Sequence, residues 1–340
     1  MKSRYFYQNW KNSRKRLIRL KLEVILISKN VLVTGGCGFI GSHIVDMLIK
    51  NDFFVTVVDD LSANSDISYI KTYIEKEKAD FHKISIQNYE NLLNLDSSYN
   101  SIFHLAAQPD VNYSVNNPRI DFETNVIGTF NILEFMRKKD ISDLIFASSV
   151  GTVYGEPDVH PTPEYYPLKP ISNYGAAKAA AEMYFSSYSS LYGLNITSLR
   201  LGNVYGPRST HGVIYDFYHK LQKNPKELEI LGDGTQAKSY LYIDDAIEAF
   251  ALTHQKMQKG FEVYNVSSDE TTTVLKVAEE LVRILGLSDV NYSFTGGKRG
   301  WKGDVTFTSV DIKKLKKLGW NPSTSISEGI SKYVQWLKNQ

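Results

Sequence analysis

Thr34-Gly35-Gly36-Cys37-Gly38-Phe39-Ile40-Gly41 is the stretch that decides the fold of this chain. The apolar run Val31–Val33 precedes it, and a helical pattern with Ile44, Val45 and Leu48 on one face follows it. Glycines between a strand and a helix let the backbone bend sharply, approach a pyrophosphate closely and pack the helix against the strand. The N–H groups at such a helix N-terminus attract phosphate. The stretch therefore predicts a dinucleotide-binding turn.

The second strand pattern indicates which dinucleotide this turn would bind. Phe53–Val58 ends at Asp59, 18 residues after Gly41. An acid in that position can accept hydrogen bonds from the adenosine ribose hydroxyls. No Arg or Lys occurs in Asp60–Ser65, so a 2′-phosphate would meet carboxylates and no cation. The pattern favours NAD over NADP, with Asp59 and Asp60 beside the ribose.

Composition places the chain among ordinary globular enzymes. It has 340 residues, 42% apolar and 22% charged, which allows one large core or two smaller ones. A single cysteine, Cys37, excludes an intrachain disulfide framework and a cysteine-rich zinc site, and we expect no metal. No apolar run approaches the ~18 residues of a transmembrane segment. We expect a cytoplasmic protein.

The charge of the chain is unevenly distributed. Residues 1–29 contain nine of the 39 Lys and Arg residues but only one of the 37 acidic residues, Glu23. The rest of the chain therefore has a net charge of −6, which argues against nucleic acid as the main partner. The basic N-terminal extension, residues 1–29, has two interpretations: a contact with a surface or with membrane headgroups, or a dispensable start.

From Asn30 onward, strand and helix patterns alternate. This order is typical of βαβ units and a parallel sheet. Beyond Asn203 the alternation loosens and glycine-punctuated segments appear. Strands are predicted near 31–34, 53–58, 80–84, 101–105, 143–148 and 195–200, and helices near 41–51, 66–77, 118–138 and 174–191.

Tyr174 and Lys178 are the strongest candidates for catalysis. A spacing of four residues places the phenol and the ammonium on one face of the predicted helix 174–191. A nearby ammonium favours the phenolate, so we expect the pKa of Tyr174 to fall below its usual value of about 10. Tyr174 would then be a general base near neutral pH.

Polar and small residues follow two other predicted strands, where open α/β sheets bind ligands. Ser148 and Ser149 end one strand, and Thr152 follows them. Leu105-Ala106-Ala107-Gln108 ends another, and its alanines would let the backbone lie against the nicotinamide ribose. Asn125 falls in the helix after it and, taken alone, is better explained as a solvated position.

Together these motifs resemble the extended short-chain dehydrogenase/reductase family. The resemblance runs from about Asn30 to Trp320 and is strongest to NAD-dependent nucleotide-sugar epimerases and dehydratases, above all UDP-glucose 4-epimerases. It is carried by the glycine turn, Asp59, His104-Leu105-Ala106-Ala107, Asn125, Tyr174 with Lys178, and the segment Leu199–Arg208.

The resemblance implies a fold and a set of roles. The fold would be a Rossmann-type doubly wound parallel sheet at 30–202, with a return segment near 236–265 and a smaller nucleotide-sugar-binding domain over most of 203–340. Tyr174 would be the base, and Lys178 would hold the nicotinamide ribose. Asn203 and Lys238 would contact the nucleotide diphosphate. The remaining implied contacts are Ser148, Asn125 and Val204 for the cofactor, and Tyr240, Arg299 and Thr308 for the substrate.

Three positions depart from the family pattern. Val150 stands where the family often has a catalytic Ser or Thr, so Ser149 is the expected substitute and Thr152 the second candidate. Lys238 replaces the usual Arg, exchanging a bidentate fork for a point charge. Ser85 stands where an Asp usually meets the adenine.

Three functions are compatible with this sequence. The first is a 4-epimerase that oxidises and re-reduces the sugar at C4, possible also for N-acetylated hexoses because Thr308 would leave space at C2. The second is a 4,6-dehydratase or decarboxylase, but dehydratases usually place Asp-Glu before Val-Tyr-Gly, where this chain has Gly151-Thr152. The third is a non-catalytic NAD-bound sensor, against which the intact Tyr174 and Lys178 argue.

The family also pairs two helices of each subunit in a homodimer. We therefore expect a homodimer through the helices near 118–138 and 174–191. Apolar residues on several faces of these helices motivate the prediction, namely Phe130, Leu133, Phe135, Tyr184, Phe185 and Tyr188.

Overall fold

The computed structural model of the chain describes residues 29–95 and 98–340. The basic N-terminal extension, apart from Lys29, lies outside the described residues. The strands are β1 Asn30–Thr34, β2 Phe54–Asp59, β3 Ala79–Lys83, β4 Ser101–His104, β5 Asp143–Ser149, β6 Asn195–Leu201, β7 Asn203–Tyr205, β8 Glu227–Ile230, β9 Ala237–Lys238, β10 Tyr240–Tyr242, β11 Phe261–Val266, β12 Thr272–Thr273 and β13 Asn291–Phe294.

The helices follow the strands in near alternation up to β6. They are α1 Phe39–Lys50, α2 Ser68–Glu75, α3 Tyr89–Leu93, α4 Val111–Asn116, α5 Pro118–Asp121, a π-helix Phe122–Ile127, α6 Gly128–Lys139, α7 Val150–Tyr154, α8 Asn173–Tyr192, α9 Val213–Lys223, α10 Ile243–Gln255, α11 Val274–Leu285, α12 Lys313–Lys316 and α13 Ile326–Leu337.

Seven strands form one parallel sheet in the order β11-β6-β5-β4-β1-β2-β3. The chain starts in the middle of the sheet at β1, moves outward to β3, and then crosses to β4 and onward on the other side. This is the doubly wound Rossmann arrangement, and it confirms the predicted fold class. The six strands predicted from the sequence are all present.

The sheet is buried on both faces because its side chains alternate between two apolar clusters. In β1, Val31 and Val33 face a cluster built with α1 and α10, whereas Leu32 faces the cluster built with α6 and α8. In β5, Ile145 joins the first cluster and Phe146 the second. Continuous apolar strands are the expected signature of such a two-sided sheet.

The seventh strand comes from much later in the chain. β11 pairs with β6 in parallel, with Phe261 opposite Ile196 and Val266 opposite Leu201. The helix before it, α10, packs against α1. A third apolar cluster, formed mainly by α9, α11 and α13, lies under the short strands that follow β6. Across the two described ranges, no helix combines the length and apolar character needed to cross a membrane.

The predicted helix 118–138 is present but interrupted. Pro118 begins α5, which suits the first turn of a helix because Pro has no N–H to donate. The π-helix Phe122–Ile127 then adds wider turns before α6 continues to Lys139. Short π-helices of this kind occur often at functional sites.

Most side chains that motivated the dimer prediction lie inside the chain's own core. Leu133, Phe135, Phe185 and Tyr188 are buried between α6, α8 and the sheet. Of that set, Tyr184 is 44% exposed. The prediction therefore loses most of its original basis.

Candidate active site

The glycine turn brings β1, α1 and the loop after β4 into close contact. Gly35 has φ +71°, and a Cβ there would lie 2.6 Å from the backbone nitrogen of Ala106. A Cβ on Gly41 would lie 1.9 Å from the carbonyl oxygen of Gly35. Neither position has room for a side chain, so both need glycine.

Helix α1 begins directly after this turn at Phe39, with Gly38 as its N-cap. No side chain caps the helix, and its first turn contains no acidic residue. The first N–H groups, including that of Ile40, are thus left for another acceptor. A diphosphate fits such a helix N-terminus.

Asp59 lies at the end of β2, as predicted, but its carboxylate already binds two backbone groups. Oδ2 accepts from the Cys37 N–H at 3.0 Å, and Oδ1 accepts from the Leu61 N–H at 2.9 Å. Burial raises the pKa of Asp59 above its usual value. The neighbouring Asp60 accepts from the Ser62 N–H at 2.9 Å. Asp59 therefore fixes the glycine turn through the Cys37 N–H, and its contact with the ribose stays a prediction.

Asn125 is buried, so the interpretation as a solvated position is wrong. Its side chain is 2% exposed and lies on the π-helix. Oδ1 accepts from the Gln108 N–H at 2.8 Å, and Nδ2 donates to the Gln108 carbonyl at 3.0 Å. Asn125 thereby holds the segment Leu105–Gln108 by its backbone, beside the glycine turn.

Gln108 has its side chain turned to the protein interior. Its Nε2 donates to Asp121 Oδ1 at 3.0 Å and to the Asp110 carbonyl at 2.9 Å, and its Oε1 accepts from the Asp110 N–H. Asn125 Nδ2 donates to the same Asp121 oxygen at 3.1 Å. The predicted cofactor residues Gln108 and Asn125 thus use their side chains to fix the loop. Asp121, which accepts from both side chains, was not among the predicted site residues.

Tyr174 and Lys178 occupy the first two turns of α8, as their spacing predicts. Lys178 Nζ donates to the Ala147 carbonyl at 2.9 Å and lies 5.6 Å from the centre of the Tyr174 ring. Lys178 is only 3% exposed. Ser172 caps the helix through the Gly175 N–H at 3.1 Å, which fixes the start of the helix beside Tyr174.

The expected direction of the Tyr174 pKa is wrong for the cofactor-free protein. Burial raises the pKa of Tyr174 above its usual value, and the charge of Asp121 raises it further. Burial also lowers the pKa of Lys178 to about 8, which Asp121 and Glu182 partly oppose. Desolvation of the charged phenolate is the main cause of the raised pKa of Tyr174.

Ser148 is buried and takes part in a hydrogen-bond network. Its hydroxyl donates to Glu182 Oε1 at 2.7 Å, inside a buried network. Glu182, one turn after Lys178, forms an ion pair with Arg200 of β6 and accepts from Ser198 at 2.9 Å. Arg200 also donates to Tyr154 at 2.6 Å. Glu182 already engages the Ser148 hydroxyl, and a contact between Ser148 and the cofactor stays a prediction.

This network connects the helix that carries Tyr174 and Lys178 to the sheet. The network was not predicted, although two features of the sequence indicate it. Glu182 continues the spacing of four residues that joins Tyr174 and Lys178, and Arg200 is a charged residue within an otherwise buried strand.

Two hydroxyls remain candidates for the role that Val150 cannot fill. Val150 is fully buried in the core. Ser149 is half-buried at the end of β5, on the face opposite Ser148, and its side chain does not cap α7. Thr152 has a buried hydroxyl with no hydrogen-bond partner, and its carbonyl touches Gly175 next to Tyr174. Both lie at the carboxyl end of β5, where reactive groups are expected.

Lys238, a predicted diphosphate ligand, and Arg299, a predicted substrate-binding residue, both contact Asp304. Lys238 Nζ forms an ion pair with Asp304 Oδ1 at 2.5 Å and lies 5.0 Å from the centre of the Trp301 ring. Arg299 donates to the Asp304 carbonyl at 2.6 Å and to Glu156 Oε2 at 2.7 Å. The two cations are therefore close together, each already beside a carboxylate.

Asn203 and Tyr240 are direct neighbours in the parallel pair β7 and β10, next to Lys238 of β9. Tyr240 is buried, whereas Asn203 is exposed. Val204, the residue after Asn203, is partly buried and packs against the third apolar cluster. Thr308 lies against α7: a Cβ on Gly151 would be 3.2 Å from its Oγ1. Of these predicted substrate residues, Thr308 borders the helix that follows β5.

Comparison with known proteins gives a consistent result. A family model described as GDP-mannose 4,6 dehydratase matches residues 32–333. A putative UDP-glucose 4-epimerase from Methanocaldococcus jannaschii is 38% identical over 314 residues, 91% of this chain and 98% of the relative.

Solved structures agree with this relationship. UDP-glucose 4-epimerase from Thermotoga maritima, with UDP-glucose, has a TM-score of 0.84 and 38% identity over 91% of this chain and 99% of that one. A dTDP-glucose 4,6-dehydratase from Streptomyces venezuelae has a TM-score of 0.85 and 27% identity over 92% and 97%. Several matching structures contain NAD, in agreement with the cofactor predicted from the glycine turn and Asp59.

Proposed function

The chain belongs to the family described by GDP-mannose 4,6 dehydratase, of NAD-dependent nucleotide-sugar epimerases and dehydratases, and on that premise we propose that it is a nucleotide-sugar 4-epimerase. The substrates would be of the UDP-glucose and UDP-galactose type. The observation that carries the proposal is the pair Tyr174 and Lys178 at the end of β5, beside a segment that holds Gly151-Thr152 and no acidic residue.

Tyr174 is the base in this proposal. Its phenol oxygen takes the proton of the sugar 4-hydroxyl during oxidation and returns it during reduction. NAD, when bound, would supply the hydride acceptor and donor that oxidation and re-reduction at the sugar C4 require. Lys178 orients the nicotinamide ribose and supplies positive charge next to Tyr174. Ser149 or Thr152 donates a hydrogen bond to the sugar oxygen.

The chain's own residues also provide the features that the cofactor needs. Gly35, Gly41 and the uncapped start of α1 suit a diphosphate, and Asp59, which binds the Cys37 N–H of the same turn, would bind the ribose. Lys178 Nζ, which donates to the Ala147 carbonyl, lies where strand β5 ends. NAD is therefore the cofactor we assign.

Two cations favour a nucleotide diphosphate as the substrate anchor. Lys238 contacts the carboxylate of Asp304, and Arg299 donates to its carbonyl. A diphosphate would share Lys238 with Asp304 and compete with Glu156 for Arg299. This binding lets the diphosphate stay fixed while the 4-keto sugar turns over, which an epimerase requires.

A 4,6-dehydratase or a decarboxylase is the alternative from the same family. A 4,6-dehydratase needs an acid and a base near the sugar C6. Gly151 has no side chain, and Thr152 has a hydroxyl that does not titrate in the neutral range. The nearest acid after Val-Tyr-Gly, Glu156, is paired with Arg299 at 2.7 Å. The third possibility, an NAD-bound sensor, would need neither Tyr174 nor Lys178.

A homodimer is part of the proposal, on a different basis from the original prediction. Apolar side chains remain exposed on α8 and on the π-helix, in the two helical segments that the family pairs. Met183 is 58% exposed and Leu191 69%, and Phe122 is 53% exposed. Light scattering should give the mass of two chains, and Leu191→Asp should shift the mass toward one.

Incubation of the purified protein with single UDP-hexoses tests the proposed reaction. The expected result is interconversion of UDP-glucose and UDP-galactose without added oxidant, resolved by chromatography. Accumulation of a 4-keto-6-deoxy sugar would identify a dehydratase. Bound NAD without any turnover of the sugar panel would favour the sensor.

A further inference from the structure

Asp121 is a buried carboxylate that the mechanism so far does not use. It is 1% exposed and ends α5, just before the π-helix. Its Oδ1 accepts two amide N–H groups, from Gln108 at 3.0 Å and from Asn125 at 3.1 Å. Its Oδ2 is buried and has no hydrogen-bond partner among the described residues. A carboxylate in that state is costly and needs an explanation.

The helix opposite Asp121 carries the catalytic pair. Both α5 and the π-helix pack against α8, on which Tyr174 and Lys178 lie. The charge of Asp121 acts on both residues: it opposes the lowering of the Lys178 pKa and adds to the raising of the Tyr174 pKa. Within the described part of the chain, Asp121 is the one charge that affects the pKa values of both Tyr174 and Lys178.

The other charged or titratable groups around the pair are accounted for. Glu182 also faces Lys178, but its charge is balanced by Arg200 in the buried ion pair. His104 lies near Lys178 and is neutral, because burial lowers its pKa to about 3. Burial raises the pKa of Asp121 itself to about 6, so the carboxylate is charged at neutral pH.

We propose that Asp121 is a positioning residue for the proposed reaction, which holds Lys178 as the ammonium and opposes the phenolate of Tyr174 in the cofactor-free protein. The amide groups of Gln108 and Asn125 donate to Oδ1, whereas Oδ2 stays buried without a partner among the described residues, on a helix that packs against α8. The positive nicotinamide of the oxidised cofactor would then provide the opposing charge that makes phenolate formation favourable.

Asp121→Asn separates charge from structure. The amide oxygen can accept the same hydrogen bonds from Gln108 and Asn125, while the negative charge is lost. Asp110→Asn is a matched control, because Asp110 is exposed, lies two residues from Gln108, and caps α4 in a role that Asn fills equally well.

The first test measures Lys178 directly in the cofactor-free protein. Competitive acetylation across a pH series, with peptides resolved by mass spectrometry, gives the midpoint at which Lys178 becomes reactive. Asp121→Asn should move that midpoint down by about one pH unit, and Asp110→Asn should not. Equal midpoints in wild type and Asp121→Asn would overturn the proposal. No substrate is needed, so the result is independent of the proposed reaction.

The second test uses turnover. If the protein is an epimerase, both limbs of the pH profile of kcat/KM should move to lower pH in Asp121→Asn, since the pKa values of Tyr174 and Lys178 both fall. A purely structural role would lower the rate without moving the limbs, and that outcome would also overturn the proposal.

A reciprocal measurement keeps the proposal testable if Asp121→Asn does not fold. In Lys178→Met, the pKa of Asp121, followed by carboxyl NMR, should rise because the ammonium no longer lowers it. An unchanged Asp121 pKa would show that the two groups do not interact.

Discussion

The hydroxyl of Thr34 and the imidazole Nδ1 of His104 lie 2.7 Å apart, at opposite positions of the neighbouring strands β1 and β4. On the other side of the ring, His104 Nε2 lies 2.9 Å from Thr129 Oγ1, which itself donates to the Asn125 carbonyl at 2.7 Å. This assigns the Nε2–H tautomer. Thr34 Oγ1 then accepts from the Ala106 N–H at 3.3 Å, so the chain of hydrogen bonds ends on the segment Leu105–Gln108.

This buried histidine should make the protein sensitive to acid. The pKa of His104 is about 3 in the folded chain, against 6.5 for an ordinary histidine. Below pH 6.5 His104 binds a proton in the unfolded state but stays neutral in the native state. The free energy of unfolding therefore falls as the pH drops from 6.5 toward 3.

Urea unfolding of wild type and His104→Gln at several pH values in this window checks the prediction. The wild type should lose free energy of unfolding more steeply than His104→Gln. Parallel losses in the two proteins would assign the acid sensitivity to other groups.

Tyr174→Phe should abolish catalysis while leaving the fold and NAD binding intact. The substitution removes only the hydroxyl, and loss of a general base costs on the order of 10²–10⁴-fold in rate. Initial rates of UDP-hexose interconversion, with bound NAD measured by absorbance, make the comparison. A rate within about threefold of wild type would show that another group is the base.

The two candidate hydroxyls can be distinguished by Ser149→Ala and Thr152→Val. We expect Ser149→Ala to lower kcat by about 10–10²-fold, because Ser149 is half-buried at the carboxyl end of β5 and its hydroxyl, unlike that of Ser148, does not donate to Glu182. Thr152→Val should have a smaller effect, since the Thr152 hydroxyl has no partner and its removal leaves no donor unsatisfied. The reverse order of effects would assign the role to Thr152.

Loss of the buried carboxylate at Glu182 should destabilise the chain strongly. Glu182→Ala leaves Arg200 buried and unpaired and removes the acceptor of Ser148 and Ser198, at a cost of about 3–5 kcal/mol. Glu123→Ala is the matched control, since its ion pair with Arg119 lies on the surface. That change should cost no more than about 0.5 kcal/mol. Chemical denaturation of both variants provides the values, and similar losses would contradict the argument.

Thr308→Tyr should restrict the sugar pocket. Thr308 faces Gly151 beside the end of β5, whereas Phe307 is 39% exposed and packs on His160 with ring centres 4.7 Å apart. Wild type should therefore turn over UDP-N-acetylglucosamine as well as UDP-glucose, and the tyrosine ring should selectively block the N-acetyl sugar.

Phe307→Ala is the control for this change and should leave the ratio of the two rates unaltered. The prediction fails if wild type rejects the N-acetyl sugar, or if Thr308→Tyr accepts both substrates as wild type does.

The sequence predicted the features that depend on local spacing. The glycine turn follows from glycines placed between a strand and a helix, and Asp59 from the end of the next apolar strand. The pair Tyr174 and Lys178 follows from a spacing of four residues. Features that depend on distant contacts were missed or misread. The role of Asp121 depends on its hydrogen bond from Gln108 and its charge interaction with Lys178. The role of Glu182 depends on its ion pair with Arg200. The direction of the Tyr174 pKa was wrong because burial, which decides it, has no local signal.

The position of β11 has a consequence for how the protein is made. β6 ends at Leu201, and the strand that covers its edge begins only at Phe261. During synthesis the unpaired β6 edge must wait until about sixty further residues, including β7, α9 and α10, have left the ribosome. The seven-stranded sheet therefore cannot be completed before the chain has been synthesised through β11. A fragment ending after β6 should expose an aggregation-prone strand, so the two halves must mature as a single folding unit.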